Sequence, residues 1–108
     1  MKPKKFSLNK ISKGLKKPWT PKNIETIDNS ILRIAKFDGE YHWHKHDNED
    51  ELFIVLKGNI KIKTKNGNII LKQNDGVKIP NGVQRCPISL EPSIVLMIEP
   101  LRLKSKEN

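Results

Sequence analysis

The chain has 108 residues, enough for one domain with a modest core, which excludes a two-domain enzyme. Its single cysteine, Cys86, excludes an internal disulfide and a cysteine zinc site, and suggests a reducing compartment. The net charge is +9, and the sequence lacks both a membrane-spanning apolar run and the apolar core of a secretory signal. We therefore expect a soluble, cytoplasmic protein with no membrane association.

The positive charge is concentrated at the two ends of the chain. Residues 1–28 contain eight lysines and two acidic residues, whereas residues 29–100 contain ten basic and nine acidic residues. A nucleic-acid-binding protein normally carries its basic residues on a face of the folded body. We therefore interpret residues 1–28 as a solvated basic N-terminal arm and residues 101–108 as a C-terminal tail. A nucleic acid partner is not expected, and binding of an acidic surface through the arm is a weaker alternative.

The N-terminal arm is expected to be irregular and lysine-rich. Four apolar residues are spaced as a thin helical stripe: Phe6, Leu8, Ile11 and Leu15. Trp19 follows Pro18 and precedes Thr20-Pro21, and prolines favour extended backbone beside them. Trp19 is therefore predicted to pin an extended arm to the folded body.

Residues 29–100 have the pattern of an all-β domain. Alternating or wholly apolar segments are separated by turn signals every eight to twelve residues, as in a β-sandwich or barrel. Asn66-Gly67, after a strict isoleucine and lysine alternation, predicts a two-residue hairpin turn. The predicted strands are residues 30–37, 41–46, 51–57, 59–65, 68–72, 77–79, 83–88 and 93–99.

All three histidines lie close together in the sequence, followed by a carboxylate. His42, His44 and His46 occupy alternate positions, and Glu51 comes five residues after the last of them. Alternate side chains of a strand point to the same face. Two neutral imidazoles and one carboxylate are the ligand set of a divalent-metal site with open positions. This cluster is the candidate functional site.

The spacing of this cluster resembles the first motif of the cupin superfamily. That motif is glycine, five residues, His-x-His, three or four residues, glutamate, six residues and glycine. Here Gly39 is followed by four residues, then His44-Lys-His46, four residues, Glu51, six residues and Gly58. More narrowly, Gly-Glu-Tyr-x-Trp-His-x-His and the following Asp-Glu-Leu-Phe-x-Val-Leu-x-Gly resemble the small cupins described as mannose-6-phosphate isomerase-like.

The second cupin motif is matched in part. It is glycine, five residues, Pro-x-Gly, two residues and histidine, and Pro80-Asn81-Gly82 provides its centre. Asn74 and Arg85 stand where the motif has its first glycine and its histidine. The resemblance implies a small single-domain cupin, with a double-stranded β-helix or jelly-roll barrel over residues 29–100. It is compatible with a metal-dependent enzyme of isomerase or dioxygenase type and does not decide whether the chain is an enzyme.

The resemblance implies that His44, His46 and Glu51 bind iron, manganese, nickel or zinc, with Arg85 at the fourth ligand position. Guanidinium stays protonated and has no free lone pair, so Arg85 cannot be a ligand. A three-ligand metal site with Arg85 turned toward a small anionic ligand is one outcome. The alternative is a metal-free, non-catalytic ligand-binding or regulatory cupin in which Arg85 neutralises Glu51.

His42 offers a third alternative as the replacement ligand. A strand rises about 3.3 Å per residue, which would separate His42 from His46 by roughly 13 Å, too far for one ion. His42, Arg85 and Phe53 are therefore predicted to line the ligand pocket. Tyr41 and Trp43 are predicted to pack on the opposite face, and Cys86 to be a small buried residue that points away from the pocket.

Two apolar segments, residues 52–56 and 94–98, are too apolar on both faces for a strand with one face in solvent. No helix is expected within residues 29–100 to cover their outer faces. A homodimer with sheet-on-sheet contact would bury these faces, with the Trp19 arm laid over the partner subunit.

Overall fold

The computed structural model of this chain describes residues 1–103. Residues 104–108 of the predicted tail lie outside the described residues. The described part contains the following elements: α1 (Leu8–Lys13), β1 (Lys22–Ile27), β2 (Ser30–Glu40), β3 (Glu51–Lys57), β4 (Ile60–Thr64), β5 (Gly67–Leu71), β6 (Gly76–Ile79) and β7 (Arg85–Pro100). In this part of the chain, no helix has the length and apolar character needed to cross a membrane.

The long strand β7 connects the two halves of an antiparallel jelly roll. Its first residues pair with β4, which forms a hairpin with β5. Its later residues lie between β2 and β3, and β1 and β6 extend this sheet at its two edges. The predicted all-β fold is confirmed.

The core lies between these two halves and is built by side chains at alternate strand positions. Val55 of β3, Ile62 of β4 and Val95 of β7 are completely buried. Burial of each such side chain contributes roughly 1.5–3 kcal/mol. In β4 the isoleucines point into the core and the lysines toward solvent, as the strict alternation predicted. The β4–β5 hairpin is also confirmed, although its two turn residues are Lys65 and Asn66, one position earlier than predicted.

The predicted strand over residues 41–46 does not form. Strand β2 continues through the predicted turn at Asp38-Gly39 as a bulge, with Gly39 at a φ of 81°. The segment that follows makes one isolated bridge, in which the His44 and Arg85 backbones exchange hydrogen bonds of 3.0 and 2.9 Å. The two strands predicted over residues 83–88 and 93–99 form one long strand, β7 (Arg85–Pro100). Its first half pairs with β4 and its second half with β3, while β2 pairs with both.

The N-terminal arm is more ordered than the sequence predicted. Helix α1 is capped at its N-terminus by Ser7, whose hydroxyl accepts a hydrogen bond from the Lys10 backbone N–H. Strand β1 pairs with β2, so residues 22–27 belong to the sheet. Trp19 packs against its own barrel, where its ring contacts Phe37 and Tyr41, as predicted for a residue that pins the arm to the folded body.

The outer face of the sheet is covered in part by this arm. Leu8 and Ser12 of α1 face Leu56 and Ile94 across an open groove of about 420 Å³, and α1 also packs against β2. No helix forms within residues 29–100, as expected, but α1 of the N-terminal arm covers part of this face. An apolar row outside the groove follows the strand register: Leu32, Ile98 and Leu52.

Candidate metal centre and barrel cavity

Three chain segments bring the predicted ligands together. Glu51 is the first residue of β3 and is 1% exposed, and His46 is 5% exposed. The backbone N–H of Gly82, in the Pro-x-Gly turn, donates to the carbonyl of His46 at 2.8 Å. The bridge to the start of β7 holds His44. The turn and the bridge thus fix the two histidines although residues 41–46 form no strand.

The ligand atoms of His44, His46 and Glu51 lie within 4.8 Å of one another, and His46 Nε2 is 4.0 Å from Glu51 Oε1. Two ligand atoms that each lie about 2.1 Å from one ion are at most about 4.2 Å apart. Only a small side-chain movement is therefore needed for these three residues to bind one ion. His44 Nδ1 lies 3.0 Å from the carbonyl of His42. When Nδ1–H donates to that carbonyl, His44 Nε2 carries the lone pair that a metal requires.

Arg85 lies on the carboxylate of this cluster. Its guanidinium donates to Glu51 Oε1 at 2.8 Å and to the carbonyl of Val83 at 3.0 Å, and the residue is completely buried. The structure therefore directs Arg85 toward Glu51, the contact expected in the metal-free alternative, and the cavity lining does not include Arg85. A cation at this position partly neutralises the one anionic ligand of the candidate metal site.

A second buried ion pair extends the cluster beneath Glu51. The guanidinium of Arg33 on β2 donates to the carboxylate of Glu99 on β7, and both side chains are almost fully buried. The Glu99 carboxyl group lies close enough to Glu51 to raise the pKa of Glu51. The sequence analysis missed this network, although Arg33 and Glu99 occupy inward positions of their strands. That period-two pattern is the signal that finds them.

Burial and neighbouring charges shift the pKa values of two of the candidate ligands, Glu51 and His44, in opposite directions. Burial, reinforced by the hydrogen bond and the charge of Glu99, raises the pKa of Glu51 to about 8, against the opposing effect of Arg85. Burial also lowers the pKa of His44 to about 4, with smaller contributions from the Arg85 and His46 charges, while its hydrogen bond to the His42 backbone opposes the shift. At neutral pH His44 is thus a neutral imidazole ready to coordinate, whereas Glu51 holds a proton that a metal must displace.

The cluster faces a small, partly open space, which we call the barrel cavity. Its volume is about 20 Å³, room for about one water molecule. His44 and Glu51 supply polar wall, and four aromatic rings supply most of the rest: Trp19, Phe37, Tyr41 and Phe53. The site is therefore narrow and largely apolar.

The structure brings some of the predicted pocket residues to this cavity and not others. Phe53 lines it, and so does Tyr41, which the sequence analysis assigned to the opposite face because it assumed a regular strand there. His42 is exposed and stacks on Tyr41, outside the cavity wall. Trp43 is 41% exposed, with the ammonium of Lys65 over its ring.

Cys86 is buried, as predicted for a small core residue. Burial, with a smaller contribution from the neighbouring Glu40 charge, raises the pKa of its thiol. The Cys86 side chain therefore stays protonated at neutral pH, which does not suit a nucleophile.

Comparison with known proteins agrees with this architecture. The chain is 36% identical over 90 residues to the uncharacterized protein YdbB of Bacillus subtilis (strain 168), over 82% of this chain and 80% of that protein. A cupin-2 domain containing protein from Shewanella frigidimarina NCIMB 400 superposes with a TM-score of 0.86 at 30% identity, over 88% of this chain and 93% of that one.

A third relative shares the fold at lower identity. Protein NMB1881 from Neisseria meningitidis superposes with a TM-score of 0.83 at 20% identity, over 90% of this chain and 99% of that one. The cupin domain family itself matches residues 31–99, the part of the chain that forms β2 to β7. On these matches and on the jelly-roll fold, the chain belongs to the cupin family.

Proposed function

We propose that this cupin binds a small ligand in its barrel, at a divalent-metal site formed by His44, His46 and Glu51. The observation that carries the proposal is the convergence of these three ligand atoms within 4.8 Å beside the barrel cavity. A bound iron, manganese, nickel or zinc ion would supply Lewis-acid chemistry to a ligand oxygen. Such a site suits a metal-dependent enzyme of isomerase or dioxygenase type.

The donor chemistry fits a divalent ion. His44 is neutral at pH 7, and its Nδ1 contact with the His42 carbonyl orients Nε2 as a ligand. Glu51 must lose its proton and share its carboxylate with Arg85 when an ion binds. We therefore expect metal binding to release a proton and to tighten as the pH rises toward 8.

The contact between Arg85 and Glu51 favours a second candidate function. Their 2.8 Å hydrogen bond is completely buried, and it places a permanent positive charge where the cupin motif has a neutral histidine. If this contact keeps the metal out, the chain is a non-catalytic cupin that binds a ligand or regulates a partner. The two candidates differ in whether wild-type protein holds a metal.

Elemental analysis of protein purified without chelator separates the two candidates, with wild type compared to Arg85→His. One metal ion per wild-type chain is the expected result for the metal site, and His46→Ala should reduce it at least tenfold. Lys45→Ala is the matched control, because Lys45 is an exposed neighbour of both histidines. Metal in Arg85→His alone would contradict the first candidate and support the second.

We also propose that the apolar row on the outer sheet face contacts a second copy of this chain. Leu32, Ile98 and Leu52 are adjacent in the register of three neighbouring strands, and Ile98 is 36% exposed. A continuous sheet face of this kind is buried most simply by the same face of another copy, related by a twofold axis.

Multi-angle light scattering at micromolar concentration is expected to show a dimer of the wild-type chain. Ile98→Lys should give a monomer, because two lysine charges would lie at the centre of the contact. Ile70→Lys is the control, since Ile70 is 56% exposed on the separate β4–β5 hairpin. A wild-type monomer at that concentration would contradict the dimer.

Two finer assignments are part of the same proposal. The Gly-Glu-Tyr-x-Trp-His-x-His segment supports placing the chain with the mannose-6-phosphate isomerase-like cupins. The single buried thiol of Cys86 supports a reducing, cytoplasmic location.

A further inference from the structure

The barrel cavity, at about 20 Å³, is too small for any organic ligand, and the N-terminal arm is what fills the space beside it. Strands β2, β3 and β7 provide Phe37, Phe53 and Met97 from the barrel wall. Trp19 and Pro21 come from the arm and close the remaining side. A ligand that enters the cavity beside His44 must therefore displace a part of the wall, and the arm and the segment with Tyr41 are the parts outside the barrel strands.

We infer that the indole of Trp19 is a displaceable plug, and that its place is a subsite for a planar aromatic group with an N–H or O–H donor. This inference rests on the proposed binding of a ligand in the barrel. The Trp19 ring lies between Phe37, at 4.4 Å between centroids, and Tyr41, at 4.8 Å with stacked planes. The place is thus shaped for a flat ring.

The hydrogen bonds of Trp19 define the polar requirement of the subsite. The indole Nε1–H donates to the carbonyl of Asp38 at 2.9 Å, and the Trp19 backbone N–H donates to the carbonyl of Lys36 at 2.9 Å. A ring that replaces the indole without a donor would leave the Asp38 carbonyl without this hydrogen bond. A phenol or indole supplies the donor, whereas a purely hydrocarbon ring does not.

The backbone of Trp19 shows why the plug can leave. Its φ is 58°, in the left-handed region that a bulky side chain rarely adopts, and this conformation costs roughly 1–2 kcal/mol. The side chain is only half-buried, and the neighbouring Thr20 is exposed. Release of the plug relieves the strained conformation, so part of the cost of opening is offset.

The test uses p-cresol, a flat ring with one O–H donor, added to full-length protein in the presence of EDTA and followed by NMR of the two indole Nε1–H groups. The Trp19 resonance should move on addition of p-cresol while the Trp43 resonance stays. Trp19→Ala should bind p-cresol at least tenfold more tightly than wild type, because no plug has to be displaced. Trp43→Ala, which alters an exposed tryptophan outside the cavity, should bind like wild type.

Two matched probes check the ligand class. Toluene lacks the donor and cyclohexanol lacks the planar ring, and each should bind Trp19→Ala at least fivefold more weakly than p-cresol. Equal binding of all three probes would overturn the assigned class. An unmoved Trp19 resonance at a p-cresol concentration that saturates Trp19→Ala would overturn the plug.

A measurement on the unliganded wild type tests the plug even if Trp19→Ala does not fold. Hydrogen exchange of the Trp19 Nε1–H should be at least a hundredfold faster than that of the Val55 amide in the core. Equal rates would mean that the arm opens only when the whole domain unfolds, and would overturn the inference. Because these experiments are done without metal, their failure is distinct from failure of the metal site.

Discussion

Replacing Arg33 by methionine is expected to lower the free energy of unfolding by about 3–5 kcal/mol. The guanidinium of Arg33 is the cation that contacts Glu99, and it also donates to Asn23 at 2.9 Å. Both members of the ion pair are almost completely buried. Without Arg33, Glu99 would be a buried carboxylate beside the second carboxyl group of Glu51. Denaturation by urea at pH 7 measures the loss.

Two further variants separate the charge effect from the packing effect. Arg33→Met combined with Glu99→Gln should be more stable than Arg33→Met alone, since the uncompensated carboxylate is gone. Lys45→Met removes an exposed ion pair of 3.3 Å to Asp47 and should cost less than about 1 kcal/mol. A loss below that value for Arg33→Met would show that the buried pair contributes little.

The metal-free protein is expected to be most stable between about pH 4.5 and 6.5 and to lose stability as the pH rises to 8. The pKa of Glu51 is raised from 4.5 to about 8 in the folded state. Between these two pH values the folded state keeps a proton that the unfolded state has released. Stability therefore falls with rising pH, by at most about 1.4 kcal/mol per pH unit for one proton. Urea denaturation at several pH values in EDTA measures the slope.

His44 gives folding stability the opposite dependence on pH, over a lower pH range. Its pKa is lowered from 6.5 to about 4, so between these values the unfolded state binds the additional proton. This group therefore makes the protein more stable as the pH rises through that interval, and it partly cancels the effect of Glu51. Above pH 6.5 only the Glu51 effect of the two remains.

Glu51→Gln is the variant that tests the assignment. A glutamine cannot ionise, so the fall in stability between pH 6.5 and 8 should disappear. Glu25→Gln, an exposed carboxylate on β1, should keep the wild-type profile. A wild-type stability that is flat or rises between pH 6.5 and 8 would contradict a protonated Glu51.

Tertiary context changed several predicted elements. Residues 41–46 alternate like a strand, but β2 continues through Asp38-Gly39 as a bulge, and the following segment makes only a single bridge. Local alternation cannot reveal this, because pairing depends on which neighbours the segment meets. The same reason explains why Tyr41 was assigned to the wrong face and His42 to the cavity wall.

The sequence by itself determined the fold and the metal-ligand candidates. The period-two alternation produces the strands, and the spacing of His44, His46 and Glu51 identifies the cluster, since short-range geometry fixes both. Only the tertiary structure decided that Arg85 bonds to Glu51, that Arg33 and Glu99 lie beneath it, and that Trp19 closes the cavity. The first two contacts join residues that are 34 or more positions apart, and the third joins the arm to the barrel. All of them depend on strand register across the sheet, which local sequence patterns do not specify.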